Sequence, residues 1–502
     1  MKRLLCLLLI LVSLPICFAG CNQSGAPGPV TGEVGDESEG TPPEEGEAPA
    51  KGWNDLPKTK YDAEFNILGR GGAGTWNTED LFAEDTSTAL SAAVFSRNSA
   101  VETRHGITIN VNAYTGKYAA MLEAMELAGT NDFALYDIPL GQWGYAVVNG
   151  YFENLYKLDE LDLEDSWWDQ RFVEDVTLYG QLYGILSDAT YIDKAATWAV
   201  EFNKDMFAAY ELEDNPYKLV DEGKWTIEKM TELAQKVNLD VNEDGVMELG
   251  GQDIYGIAGE IANLDFLFQG CGFTYGGFEN GEIILNLDRN KDQANNIFQK
   301  IFDLVADSSF TYMAEAHSEQ WKGGRDFFEA QQALFYIGGV VILPAYFKAF
   351  EHDYGVIPMP KYDENQESYY NAITTFNCPT FCIPKNATDL SMSAVVMQAM
   401  ACRGETSITP VYYNTILKEQ ASRDSDPWRM LDIIFENRVF DLCTVYNFGN
   451  LAGNGQNSYI SVLVKNGQRD QLVSTIETYA STADARIEEL MTFYDENYVP
   501  QS

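Results

Sequence analysis

The 502-residue chain is short of positive charge, of histidine and of long apolar runs. Lys and Arg together number 33 against 76 Asp and Glu, a formal net charge of -43. That balance excludes a nucleic-acid partner, because phosphate recognition needs clustered cations. The acidic excess itself serves solubility and names no ligand. Three histidines, His105, His317 and His352, stand apart in sequence, and neither HExxH nor GxSxG occurs. The commonest signatures of zinc and serine hydrolases are therefore missing. No apolar run reaches the ~20 residues that a membrane-crossing helix requires. The eight cysteines contain no CxxC pair, which argues against a zinc knuckle.

What the chain does carry begins at its first residue. Met1-Lys2-Arg3 is a short positive head, Leu4 to Ile16 is almost wholly apolar, and the run closes at Phe18-Ala19-Gly20-Cys21. This is the layout of a secretory signal over residues 1–20. Its end resembles the lipobox of bacterial lipoproteins, which implies that Cys21 receives a lipid and becomes the mature N-terminus. The expectation is a chain exported to the extracellular or periplasmic face and tethered to the cell membrane by its acyl group. An anionic membrane would repel an acidic body, so an acyl tether suits it. Residues 21–60 are rich in Gly, Pro, Glu and Ser, bury too little apolar surface to fold, and read as an acidic linker. Cys6 and Cys17 leave with the signal. Cys271, Cys378, Cys382, Cys402 and Cys443 remain, an odd set that reads as buried small apolar residues. One disulfide involving Cys378 or Cys382 stays open.

From Phe65 onward the pattern becomes that of a globular α/β protein. Phe65–Leu68 reads as a strand and Thr86–Thr103 as a helix. Ile107–Val111 alternates as a half-buried strand, Lys117–Leu127 keeps helical spacing, and Phe133–Ile138 closes a third strand. This alternation predicts a parallel sheet with its ligand crevice beyond the carboxyl ends of the strands. Thr226 is placed to cap a helix carrying Met230, Leu233, Ala234 and Val237. Tyr354–Pro358 reads as a short strand and turn. Leu472, Ile476, Tyr479, Ala483, Ile487 and Leu490 form a core-facing stripe on a last helix.

Three motifs bear on chemistry. Gly69-Arg70-Gly71-Gly72-Ala73-Gly74 fits GxGxxG after a strand, but no acidic residue closes a second strand about 20 residues on, and an exported protein meets little nicotinamide cofactor. The glycines are better explained by close backbone approach at a cleft mouth. Asp240, Asn242 and Asp244 alternate oxygen donors ahead of Gly245, with the Val246 carbonyl and Glu248 following, as in the first half of a calcium loop. Gly251 occupies the twelfth position where an EF-hand needs Glu, so the expectation is a structural calcium site with Asp253 nearby; the alternative is an acidic Asx turn without metal. Aromatic residues make up 13% of the chain. Flat rings beside amides and carboxylates suit sugars, whose faces are apolar and whose hydroxyls need polar partners.

Phe202-Asn203-Lys204-Asp205-Met206-Phe207, Asn215-Pro216-Tyr217, Gly223-Lys224-Trp225-Thr226, Tyr255-Gly256-Ile257, Phe327-Phe328-Glu329-Ala330 with Ala333-Leu334-Phe335, and Tyr354 to Lys361 follow one another in an order that resembles family 1 extracellular solute-binding proteins of ABC importers. The resemblance implies a two-lobed α/β periplasmic-binding-protein-like fold of type II, with parallel-sheet lobes joined by hinge strands. It divides the chain into a first lobe of 61–188 with 371–410 and a second of 189–370 with 411–502. It further implies a monomer that closes on a carbohydrate and docks on a membrane permease. Cleft-loop candidates for the ligand are Trp76, Asn77, Trp143, Asp188, Tyr191, Tyr275, Trp321 and Tyr446, with Trp76 and Trp143 stacking on sugar faces. Some relatives carry a calcium turn matching Asp240, Asn242, Asp244, Val246 and Glu248; here the apolar Leu249 follows. No covalent chemistry is expected. The rival readings are a secreted carbohydrate-active enzyme, needing two carboxylates across the cleft, and a sugar-sensing receptor subunit.

Overall fold

The computed structural model describes residues 51–71, 79–83, 85–244, 247, 253–307, 309–314, 323–341, 343, 352–376, 378–419, 426–448 and 458–497. Residues 50–502 form one compact unit. Within it the strands are β1 (Ala63–Arg70), β2 (Ile107–Tyr114), β3 (Leu135–Pro139), β4 (Trp198–Asn203), β5 (Tyr255–Gly259), β6 (Gly276–Glu279), β7 (Glu282–Leu285), β8 (Thr311–Met313), β9 (Ala333–Gly339), β10 (Tyr354–Ile357), β11 (Asn371–Ala372), β12 (Pro379–Cys382) and β13 (Arg438–Val439). They assemble into two main sheets, a two-stranded hairpin (β6–β7) and a short parallel pair (β11–β13).

The first sheet has the order β12-β3-β1-β2. β1 runs parallel to both β2 and β3, while β12 joins β3 antiparallel, with Pro379 opposite Pro139. Strand β1 is longer than its apolar stretch suggests, because Ala63 and Glu64 still pair with Ile107 and Thr108 on β2. The following helix, Ala89–His105, starts three residues later than expected. Thr88 fixes that start by accepting the Ser91 amide on its hydroxyl at 3.0 Å, which satisfies an orphan donor of the first turn. The helix then buries Val94 and Val101.

The second sheet has the order β10-β4-β9-β5-β8. Its three parallel members, β5, β8 and β9, are flanked by β4 and β10 in antiparallel pairing. Thr226 caps the helix Ile227–Gln235 through the Lys229 amide at 3.2 Å, as its sequence position predicts. That helix presents Ile227, Met230, Leu233 and Ala234 to the core. Burying four such side chains contributes on the order of 5–10 kcal/mol before chain entropy is counted.

Two segments cross between the sheets and are tied to each other. The outgoing segment, Ser187–Thr197, enters β4; the returning segment, Ile373–Cys378, enters β12. Thr374 donates its amide to the Ala196 carbonyl at 2.9 Å, and Thr197 bridges to Ile373. Beyond β12, the helix Leu390–Glu419 packs on Ala89–His105, whereas Asp426–Glu436 packs on β10 of the second sheet. The last helix, Leu472–Glu496, buries Leu472, Ile476, Ala483, Ile487 and Leu490 as its stripe predicts. All five body cysteines are buried thiols, and neither Cys378 nor Cys382 forms a disulfide.

Candidate functional site

The connectivity fixes which ends of the two sheets meet the crossing segments. The return segment joins the first sheet beside Pro139, the carboxyl end of β3. The outgoing segment joins the second at Trp198, opposite Gly339, the carboxyl end of β9. Both sheets therefore present their carboxyl ends to the crossings, the place where an open α/β sheet leaves a crevice.

On the first sheet this edge is built over buried charge. The Arg70 guanidinium, at the end of β1, is wholly buried and donates to Asp137 on β3 at 2.8 and 3.0 Å and to Asp80 at 2.7 Å. Burial opposes its charge, but the two carboxylates override that and hold its pKa above the ordinary arginine value. Asp80 also accepts the Thr190 hydroxyl from the outgoing segment. Beside it Arg97, equally buried, donates to the carbonyls of Asp80 (3.1 Å), Leu81 (2.7 Å) and Ala189. Burial pulls the Arg97 guanidinium down to about 10, so it remains a cation at neutral pH. Arg97 thus ties the backbone at 80, 81 and 189 to the helix Ala89–His105, and Arg70 ties the Asp80 side chain to the sheet. Gly71 meets β2 so closely that a Cβ would lie 2.5 Å from Thr115 and 2.8 Å from the Tyr114 carbonyl, in keeping with a close-approach role for this glycine. Around this hub lie half-buried Tyr114 and Gln142, and Phe376 on the return segment is 66% exposed.

The second sheet offers rings and a hydrogen-bonded group without a cation instead. Trp198 is half-buried and stacks on Phe266 with ring centres 4.3 Å apart. Next to β5, Glu260 accepts the Asn263 amide at 2.7 Å and the Tyr336 hydroxyl at 3.1 Å, and Asn263 also donates to the Ile337 carbonyl. Glu201 on β4 is fully buried, and burial, reinforced by Glu260, pushes its pKa well up, so it is a neutral acid.

The sequence candidates are scattered relative to these two edges. Trp76, Asn77, Trp321, Val246 and Glu248 lie outside the described residues. Trp143 is not placed to stack on a sugar: it is completely buried, with Phe172 and Tyr446 against it at 6.1 and 5.1 Å and its indole N–H directed at the Tyr183 carbonyl. Tyr446 is likewise buried and shares a 2.6 Å hydroxyl contact with Tyr494. Tyr275 is buried, stacked on Phe268, and donates its hydroxyl to Asp265 at 2.7 Å. In each case an aromatic residue that reads as loop or rim is drawn into the core, Trp143 and Tyr446 by neighbours far away in sequence and Tyr275 by the helix just before it. Asp188 and Tyr191 do lie on the outgoing segment. Asp188 holds Lys194 at 2.7 Å and accepts Thr409, and Tyr191 stacks on Tyr412. The aromatic residues that the structure brings to the sheet edges, Trp198 and Phe376, escape the sequence reading. Their signal is positional: one opens and the other precedes a strand that follows a crossing.

The described half of the acidic turn is an Asx turn. Asn242 accepts the Asp244 amide and donates to its carboxylate, both at 3.0 Å, and Asp253 accepts the Val241 amide at 2.9 Å. An all-oxygen set of this kind suits calcium. Among the described residues, no three His, Cys, Asp or Glu side chains are grouped to hold a metal.

The family model for bacterial extracellular solute-binding proteins matches residues 99–401, more than half of the chain, and the protein belongs to that family. No curated protein matches the sequence. Among solved structures, an ABC substrate-binding protein from Listeria monocytogenes in complex with cycloalternan aligns with a TM-score of 0.54 at 14% identity, covering 86% of this chain and 99% of the other. A cyclo/maltodextrin-binding protein complexed with maltotetraose aligns at 0.56 and 15%, covering 86% and 98%. The GacH receptor of Streptomyces glaucescens, solved unliganded and with acarbose, aligns at 0.53 and 13%, covering 88% and 100%. These likenesses show the two-lobed α/β fold of binding proteins. No helix among the described residues is long and apolar enough to cross a membrane.

Proposed function

We propose that this protein is a lipid-anchored receptor that captures a carbohydrate, an oligosaccharide, between its lobes and delivers it unchanged to an ABC importer. The observation that carries the reading is that both sheets turn their carboxyl ends to the crossing segments, one with half-buried Trp198 and the other with exposed Phe376 and half-buried Tyr114 and Gln142. Rings next to hydrogen-bonding groups match the two-sided chemistry of a sugar. The three similar binding proteins hold cycloalternan, maltotetraose and acarbose, which supports the same class. We assign 61–188 with 371–410 to one lobe and 189–370 with 411–502 to the other. Closure then follows from contacts that exist only when ligand bridges them. Trp76, Asn77 and Trp321 stay candidates for this site, Cys21 for the lipid, and a permease for the partner. Isothermal titration against a panel of malto-oligosaccharides, raffinose and cyclic glucans tests the proposal; binding confined to peptides or metal chelates refutes the carbohydrate part.

For the acidic turn we propose a structural calcium held by Asp240, Asn242, Asp244, Val246 and Glu248. A bound ion would raise the melting temperature in calcium over that in a chelator. Equal melting curves in the two buffers would remove the ion from the account.

A further inference from the structure

In a chain of net charge -43, one concavity has a charged lining that is wholly basic. It is a shallow, open depression of about 620 Å³ bordered by Trp53, Lys58, Lys60, Ser99, Thr103 and Arg104. Arg104 lies 4.5 Å above the Trp53 ring and donates to the carbonyls of Pro57 and Leu56, while Lys60 donates to the Thr103 carbonyl. These bonds fix the segment 53–60 against the helix Ala89–His105. Lys58 and Lys60 are exposed. Two neighbouring acids are turned to backbone amides, Asp55 accepting from Gly52 and Glu102 from Ile109, both at 2.9 Å, while Asp62 lies with Lys60 against Gly106. The groove beside the last helix has the opposite character, with Glu282, Asp484, Glu488 and Asp495 and no cation.

The position of the basic concavity says what it meets. It is formed in part by Trp53, Lys58 and Lys60, at the described end of the 21–60 segment, and Lys51 follows Cys21 by about 30 residues, a span whose root-mean-square reach is at least about 30 Å because its acidic residues repel one another. A weak cationic patch held that close to a membrane acts at high effective concentration. The geometry points to an anionic lipid surface as the occupant. Lys58, Lys60 and Arg104 would face headgroup phosphates and Trp53 would sit at headgroup level. The patch would seat the first-sheet end of an otherwise repelled body on the membrane. This rests on the acylated Cys21 proposed above.

The test reconstitutes the acylated full chain, labelled with a donor at Ser96→Cys, in vesicles that carry an acceptor lipid. With phosphatidylglycerol present, energy transfer is high. It falls to half or less in pure phosphatidylcholine, in 0.5 M salt, and in the Lys58→Glu/Lys60→Glu chain. Lys218→Glu/Lys236→Glu, with the same charge change elsewhere, keeps the wild-type value. Equal transfer in both lipids, or an equal drop in the control variant, overturns the proposal. A chain that leaves the vesicles in 0.5 M salt refutes acylation alone. The patch then still requires low-salt sedimentation with phosphatidylglycerol but not phosphatidylcholine vesicles, and its absence overturns the patch too.

Discussion

The carboxyl ends of the two sheets use opposite chemistry. At the first, Arg70 and Arg97 are buried cations, Arg70 paired with Asp80 and Asp137 and Arg97 with main-chain carbonyls. At the second, Glu201 is a neutral acid, and Glu260, Asn263 and Tyr336 form a compact hydrogen-bonded group behind the Trp198–Phe266 stack. Paired charge in a dry interior is rigid, because leaving either partner unpaired is costly. Such a cluster fixes loops and the outgoing crossing to one lobe. The half-buried Trp198 ring leaves a surface that can accept a ligand without a large desolvation cost. The comparison teaches that one side of the crevice is organised for position and the other for contact.

The sharpest way to break this contrast is Asp80→Ala, which leaves Arg70 and Thr190 short of a partner. We expect a loss of about 3–5 kcal/mol in urea unfolding; a loss below about 1 kcal/mol would remove the distinction. Next is Asp265→Asn. Burial, opposed by hydrogen bonds from Ser458 and Tyr275, raises Asp265 to about 7 from an ordinary value near 3.8. The folded form therefore holds the proton more tightly, so this group's contribution is present at low pH and is lost as pH rises through 7. Relative to wild type, the variant should flatten a decline of roughly 3 kcal/mol between pH 4 and 7; parallel stability curves would refute it. On the contact side, Trp198→Ala should weaken the best sugar about tenfold, while Trp143→Phe, a change in the packed interior, should leave titrated affinity within about twofold. The reverse ranking would restore Trp143 as a stacking residue. The smallest effect belongs to Glu201→Gln. Replacing a neutral acid by its amide should move stability by less than about 1 kcal/mol at pH 7.

The sheets were legible because their signals are local. The alternation in Ile107–Val111 and the spacing of Leu472, Ile476, Ala483 and Leu490 each follow from one element burying one face. Thr226 could be assigned as a cap from its neighbours alone. The site was far less legible. Trp143 and Tyr446 carry the same ring chemistry as Trp198, and what separates them is which distant residue covers them: Phe172 and Tyr494. That information lives in tertiary contacts. The Arg70–Asp80–Asp137 hub was hidden for the same reason, since Arg70 reads as part of a glycine-rich loop until β3 is placed beside it.

The five cysteines of the body are buried and form no disulfide. An exported chain of this kind reaches its native state without help from a thiol oxidase or isomerase, and its unfolding midpoint should be the same with and without a reducing agent. Cross-links do not limit how far its two sheets can turn about the paired crossings.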